Sequence, residues 1–196
     1  MTATKRFIFY DIDGVFNTGR TTVGNGFNPS SEYTEYKNHK GYTVTGPPVL
    51  DSVGVGFMVA LAEKCNAKLV CSSTWRKMYT LNEIAQAIPE MHTRGGRNLR
   101  LRFQELHTKD WKTDTAKYKT SADLDQSTRG DEIQEYLSRH DADQYIILDD
   151  LVGASKGIDE DKGTFVHVNP WDGITYSDMM KMETAFGLKG HHAIFF

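Results

Sequence analysis

The apolar positions of this chain fall in short runs that stop abruptly at acids or hydroxyls. Phe7-Ile8-Phe9-Tyr10 ends at Asp11, Lys68-Leu69-Val70-Cys71 ends at Ser72-Ser73-Thr74, and Tyr145-Ile146-Ile147-Leu148 ends at Asp149-Asp150. Runs of this length bounded by polar clusters predict buried strands. Thr164 to Val168 predicts a further one. Helical patterns lie between them. Asp51 is placed to cap a helix running to about Cys65, with Phe57, Met58, Leu61 and Ala62 on its inner face, although Gly54 and Gly56 weaken it. Thr80 to Ile88 reads as a helix that Pro89 stops. Gly130 to His140 is amphipathic, with Ile133, Tyr136 and Leu137 inward. Thr175 with Asp178 makes a capping-box-like start to a last helix, to about Phe186, which Gly187 closes.

Two stretches lack such a pattern. Residues 17–48 are rich in Gly, Asn, Thr, Ser and Tyr and end in Pro47-Pro48, so they read as a flap or small cap insertion. Residues 90–128 read as a second insertion and hold a basic group, Arg94, Arg97, Arg100 and Arg102. Strands alternating with helices imply an α/β fold with an open, mostly parallel sheet. In such sheets ligands bind beyond the carboxyl ends of the strands. Asp11, Asp13, Ser73, Asp149 and Asp150 are therefore expected to converge on one site.

Composition narrows the picture. A length of 196 residues, 39% hydrophobic and 25% charged, fits one globular domain with a sizeable core. The net charge of −3 argues against bulk electrostatic binding to long nucleic acid. Cys65 and Cys71 sit in apolar stretches and read as buried free thiols, hence a reducing compartment. No stretch is long and apolar enough to span a membrane, and Met1 to Tyr10 is too short for a signal peptide, so the cytoplasm is the expected location.

The acids suggest phosphoryl chemistry. A carboxylate can attack phosphorus and form an acyl phosphate, which divides one hard step into two. On an extended chain residues i and i+2 point to the same side, so Asp11 can face phosphorus while Asp13 reaches the ester oxygen as general acid and base. Mg2+ suits this oxygen-rich set, with Asp11, the Asp13 backbone carbonyl, and Asp149 or Asp150 as ligands. Gly14 allows a sharp turn beside the phosphate. Ser73, with Ser72 and Thr74 as rivals, offers a hydroxyl at a strand end, and Arg129 a forked donor at a helix start.

The plainer readings are a surface turn at Asp11 to Gly14, helix caps at Ser73 or Thr74, and a solvated Arg129. Arg94, Arg97, Arg100 and Arg102 are more often a solvated face than a ligand site. Tyr33, Tyr36 and Tyr42 with Lys37, His39 and Lys40 would suit a nucleotide base, or simply decorate a loop. His191-His192 is incidental, and Trp75 belongs to the scaffold.

With these residues in hand, the chain resembles the haloacid dehalogenase (HAD) superfamily. Asp11-Ile12-Asp13-Gly14-Val15 resembles its first motif and Leu69 to Arg76 its second, in the form of the nucleic-acid repair branch, where Ser or Thr lies two residues before Trp. That register selects Ser73. Thr128-Arg129-Gly130-Asp131 resembles the third motif, with Arg in place of the usual Lys; Lys117, Lys119 and Lys156 are the alternatives. Ile147 to Asp150 resembles the fourth, and Val168 to Thr175 the ending of the same branch. The chain is similar to the phosphatase half of phage polynucleotide kinase-phosphatases, without a kinase loop.

The resemblance implies a Rossmann-like three-layer sandwich with small cap insertions. It implies a Mg2+-dependent phosphatase acting through an aspartyl-phosphate on a nucleotide or a nucleic-acid end. Asp11, Asp13, Ser73 and Arg129 would be catalytic, and Gly14, Thr74 and Arg76 would meet the substrate. Asp11, Asp13, Asp149 and Asp150 would hold the metal. The alternative is a binding module of the same fold that sequesters a phosphorylated nucleotide without turnover; binding alone needs no acid at Asp13. A phospho-accepting receiver is disfavoured because its paired acids follow the first strand, whereas the adjacent pair here comes at 149–150.

Overall fold

A computed structural model describes residues 4–24, 35–37, 41, 43–45, 49–92, 96–114 and 129–188. Its central sheet has five parallel strands in the order β5-β4-β1-β6-β7. These are β1 (Arg6–Tyr10), β4 (Ala67–Cys71), β5 (His107–Lys112), β6 (Gln144–Asp149) and β7 (Gly163–His167). Two short strands, β2 (Glu35–Lys37) and β3 (Thr43–Thr45), pair antiparallel as a hairpin within residues 17–48. A short helix α1 (Gly19–Gly24) precedes them.

The apolar strands alternate between two cores. Ile8, Tyr10, Leu69, Ile146 and Leu148 pack on one face, with α2 (Ser52–Cys65), α3 (Leu81–Gln86), α4 (Leu99–Glu105) and α6 (Tyr176–Ala185). Phe7, Phe9, Val70, Tyr145 and Ile147 pack on the other, against Ile133 and Tyr136 of α5 (Arg129–His140). Continuous apolar runs are thus explained by cover on both faces, the three-layer sandwich.

The helix starts follow local chemistry. Asp51 accepts from the Val53 N–H and caps α2, which tolerates Gly54 because its bare face lies against Asp51 and Phe16. Phe57 is only partly buried, and Val55 and Val59 share the inner face instead. Thr80 and Glu83 form a full capping box at α3, as Thr175 and Asp178 do at α6.

Two elements of the second insertion escaped the sequence pattern. α4 buries only Leu99 and Phe103, too few for a visible period. β5 reads His-Thr-Lys-Asp-Trp-Lys and is largely exposed at the sheet edge. It is pinned by His107, whose Nδ1 donates to the Phe103 carbonyl while Nε2 accepts from the Tyr10 hydroxyl. Burial lowers the His107 pKa to about 4, so the ring is neutral in this role. The basic group is structural where described. Arg102 pairs with Glu63 of α2, Arg97 with Glu63 and Glu105, and Arg100 donates to the Ile88 carbonyl at 2.6 Å. Arg94, Lys117, Lys119, Thr128, Tyr33, His39, Lys40, Tyr42 and His191-His192 lie outside the described residues.

Candidate active site

Strand register brings the acids together. β1 and β6 pair parallel with Tyr10 level with Leu148, and the Asp11 N–H donates to the Leu148 carbonyl at 2.9 Å. The next residues, Asp11 and Asp149, are therefore neighbours. Both continue the alternation that puts Phe9 and Ile147 on the α5 side of the sheet. Arg129, the first residue of α5, meets them there: its Nη1 donates to Oδ2 of Asp11 and to Oδ2 of Asp149. Gly130 lets the helix start this close, because a Cβ there would lie 2.6 Å from the Lys156 carbonyl oxygen.

Asp150 completes the group. Carboxylate oxygens of Asp11, Asp149 and Asp150 all lie within 4.8 Å of one another. Gly14 has φ +75° and faces Asp150: a Cβ at Gly14 would lie 2.5 Å from the Asp150 carboxyl carbon. So Gly14 gives room to an acid as well as turning the chain. Burial pushes the Asp149 carboxyl up to about 6, Arg129 pulling it down and Asp11 raising it again. Burial, then the nearby Asp11, also raises Asp150. Burial opposes the charge on Arg129, but Asp11 and Asp149 outweigh it and hold the guanidinium protonated.

Asp13 is exposed and lies outside the group of three carboxylates, though its charge is felt at Asp150. Its Oδ1 accepts from Asn17 Nδ2 at 2.8 Å and its Oδ2 from Trp75 Nε1 at 2.9 Å. Any share of Asp13 in a metal site is left to its backbone. Sequence reading missed both clamps. A Trp directly after a polar strand end was the available signal, since a buried indole N–H seeks an acceptor.

The loop after β4 carries the remaining candidates. Ser72 Oγ donates to the Tyr10 carbonyl, tying the two strand ends together. Ser73 is fully buried and its Oγ accepts from the Trp75 N–H at 3.4 Å, as the cap of a 3-10 turn that Thr74 begins. Thr74 is exposed. Arg76 is placed differently from the expectation that it meets substrate. It is buried, with Nε on the Thr113 carbonyl at 3.0 Å, Nη1 on the Ser72 and Ser73 carbonyls, and Nη2 on Glu132 of α5. Its donors are engaged by protein, so it acts as a strut beneath the loop. Lys156 pairs with Asp131 at 3.2 Å, away from the acids, which leaves Arg129 as the cation that touches them among the described residues.

Residues 7–179 match the model of the HAD domain in Swiss Army Knife RNA repair proteins. The chain belongs to this family. No curated protein and no solved structure matches it significantly. Family membership supports a HAD-type phosphatase, and HAD domains generally use Mg2+.

The residues of this HAD domain fit such an ion. Asp11, Asp149 and Asp150 bring three negative charges and Arg129 one positive, so the cluster is left with two uncompensated negative charges. Asp149 is fully buried. Excess buried negative charge of this kind is costly unless a cation joins it. The ligands are hard oxygens, as Mg2+ prefers. No helix of the described residues is long and apolar enough to cross a membrane.

Proposed function

We propose that this HAD domain hydrolyses a phosphomonoester of a nucleotide or a nucleic-acid end, with Asp11 as nucleophile and Mg2+ as cofactor. The observation that carries the reading is the meeting of Asp11, Asp149 and Asp150 at the carboxyl edge of the sheet, under one half-buried arginine.

Each side chain has a task that its position suits. Asp11 attacks phosphorus, the bond to the ester oxygen breaks, and an aspartyl-phosphate forms. Asp13 gives the departing oxygen its proton. It then takes a proton from the water that attacks the acyl phosphate, and phosphate leaves with Asp11 regenerated. Asn17 and Trp75 hold the Asp13 carboxyl in place for both transfers. Arg129 keeps Asp11 and Asp149 oriented and supplies positive charge beside the phosphoryl oxygens. Ser73 and the exposed Thr74 sit where the chain turns into the 3-10 segment, and Thr74 meets the phosphate from that side. A cation held by Asp11, Asp149 and Asp150 would offset the charge of the phosphate.

The clamped Asp13 favours turnover over sequestration. A binding site for phosphate gains nothing from an exposed carboxylate held ready by two donors. The test is phosphate release from a panel of nucleoside monophosphates and end-phosphorylated oligonucleotides. Release should require Mg2+ and vanish in Asp11→Asn. Nucleotide bound for hours and recovered intact by the wild-type protein would contradict the proposal.

A further inference from the structure

Trp171 is a large aromatic side chain left 60% exposed. It lies in the loop after β7, and this loop is fixed from several directions. The Val168 N–H donates to the Asp149 carbonyl at 2.9 Å, and the Trp171 N–H to Asn169 Oδ1 at 2.9 Å. The loop closes through the Gly173 N–H on the Asn169 carbonyl, with Gly173 at φ +68°. Two more bonds tie it to the chain that follows the nucleophile. The Gly19 N–H donates to the Pro170 carbonyl at 3.1 Å and the Arg20 N–H to the Trp171 carbonyl at 2.9 Å. The indole ring lies over Gly19, where any Cβ would overlap it.

The ring of an ordered loop thus lies on the chain segment that runs on from Asp13 and Asn17. Asp13 is the proton donor of the proposed reaction, so the ester oxygen and the group attached to it lie at Asp13. Asp13 is held by Asn17, and Asn17 is two residues from the glycine under the ring. A nucleoside leaving from Asp13 carries a flat, apolar base with a face to cover. A flat indole face suits such a base, since every base has a π-face and stacking on an aromatic ring is sequence-tolerant.

We infer that Trp171 is a stacking platform for the nucleobase next to the scissile phosphate, a specificity determinant that rests on the phosphatase reading above. The base belongs either to a free nucleotide or to the terminal residue of an oligonucleotide. The loop is built before substrate arrives, so little ordering accompanies binding.

The experiment compares KM values of the wild-type protein, Trp171→Leu and Trp171→Phe with Mg2+ present. Leu keeps an apolar cover over Gly19 but has no π-face, whereas Phe keeps one. Substrates are a nucleoside monophosphate, a short end-phosphorylated oligoribonucleotide and acetyl phosphate, which has no base. In Trp171→Leu the KM for at least one base-bearing substrate should rise about tenfold more than the KM for acetyl phosphate, as loss of one stacked base implies. Trp171→Phe should recover most of that difference. A rise confined to the mononucleotide or to the oligonucleotide supports the platform and names its source. Equal rises for all three substrates would mean that the ring only props the loop, and would overturn the inference while the phosphatase reading stands. So would no rise at all. A wild-type protein that turns over none of the three overturns the phosphatase reading and the platform with it.

Discussion

Two arginines, the buried Arg76 and the half-buried Arg129, flank the same carboxyl edge of the sheet and show opposite charge balance. Arg76 meets one carboxylate, Glu132, and the backbone carbonyls of Ser72, Ser73 and Thr113, so its charge is matched and each of its three nitrogens is engaged. Arg129 lies one helical turn earlier on the same helix as Glu132 and meets two carboxylates with a third close by. The first region is electrically closed. The second has acid to spare. Breaking a balanced buried ion pair strands a charge and destabilises the fold, whereas a cluster with excess charge leaves a place for a ligand.

Removing each arginine should separate the two kinds of site. Arg129→Ala should lower turnover by roughly a thousandfold, as loss of a charge aimed at the reacting phosphoryl group does. The same variant should bind Mg2+ more tightly, because a positive charge beside the carboxylates is gone. Titration calorimetry with Mg2+ checks this, and weaker binding would count against shared carboxylates. Arg76→Ala should instead act on stability, by about 3–5 kcal/mol, because it strands Glu132 in a buried position. Urea unfolding measures that loss, and an unchanged midpoint would show that Arg76 is not a strut.

Smaller effects sharpen the contrast. Burial, more than any neighbour, pushes Asp149 up to about 6. A cation must bind the ionised carboxylate, so affinity is full above that pH and weakens as pH falls through it. Below it, Mg2+ affinity should drop about tenfold per pH unit, measured at a series of pH values. Trp75→Phe removes one of the two donors that hold Asp13. It should slow alkyl phosphates, which need a proton at the leaving oxygen, by about tenfold or less. It should slow nitrophenyl phosphate, whose leaving group needs none, much less. An equal loss on both would remove Trp75 from the positioning of Asp13.

Much of this edge was legible in the chain. Asp11 and Asp149 directly follow apolar runs, and parallel pairing in register puts them side by side. A mostly parallel sheet followed from strands that alternate with helices, and the three-layer sandwich from the family resemblance; the central sheet of the described residues is parallel throughout. β5 was not legible, because an edge strand with exposed Lys, Thr and Asp carries no apolar period. α4 was hidden for a similar reason, with two buried residues in seven. The clamp on Asp13 was out of reach because Trp75 is 62 residues away in sequence. The role of Arg76 was misjudged because a motif register gives a position along the chain but not the direction of a long side chain. The sequence marked Gly14 as a turn beside the phosphate; its closeness to Asp150 is a tertiary fact.

In the proposed reaction Asp11 carries the phosphoryl group. Rapid acid quenching during turnover of a substrate with a radiolabelled phosphoryl group, followed by peptide mapping, tests it most directly. Mg2+-dependent label is expected on the peptide that contains Asp11, and none in Asp11→Asn. Phosphate release without labelled protein, or label on another residue, would contradict it.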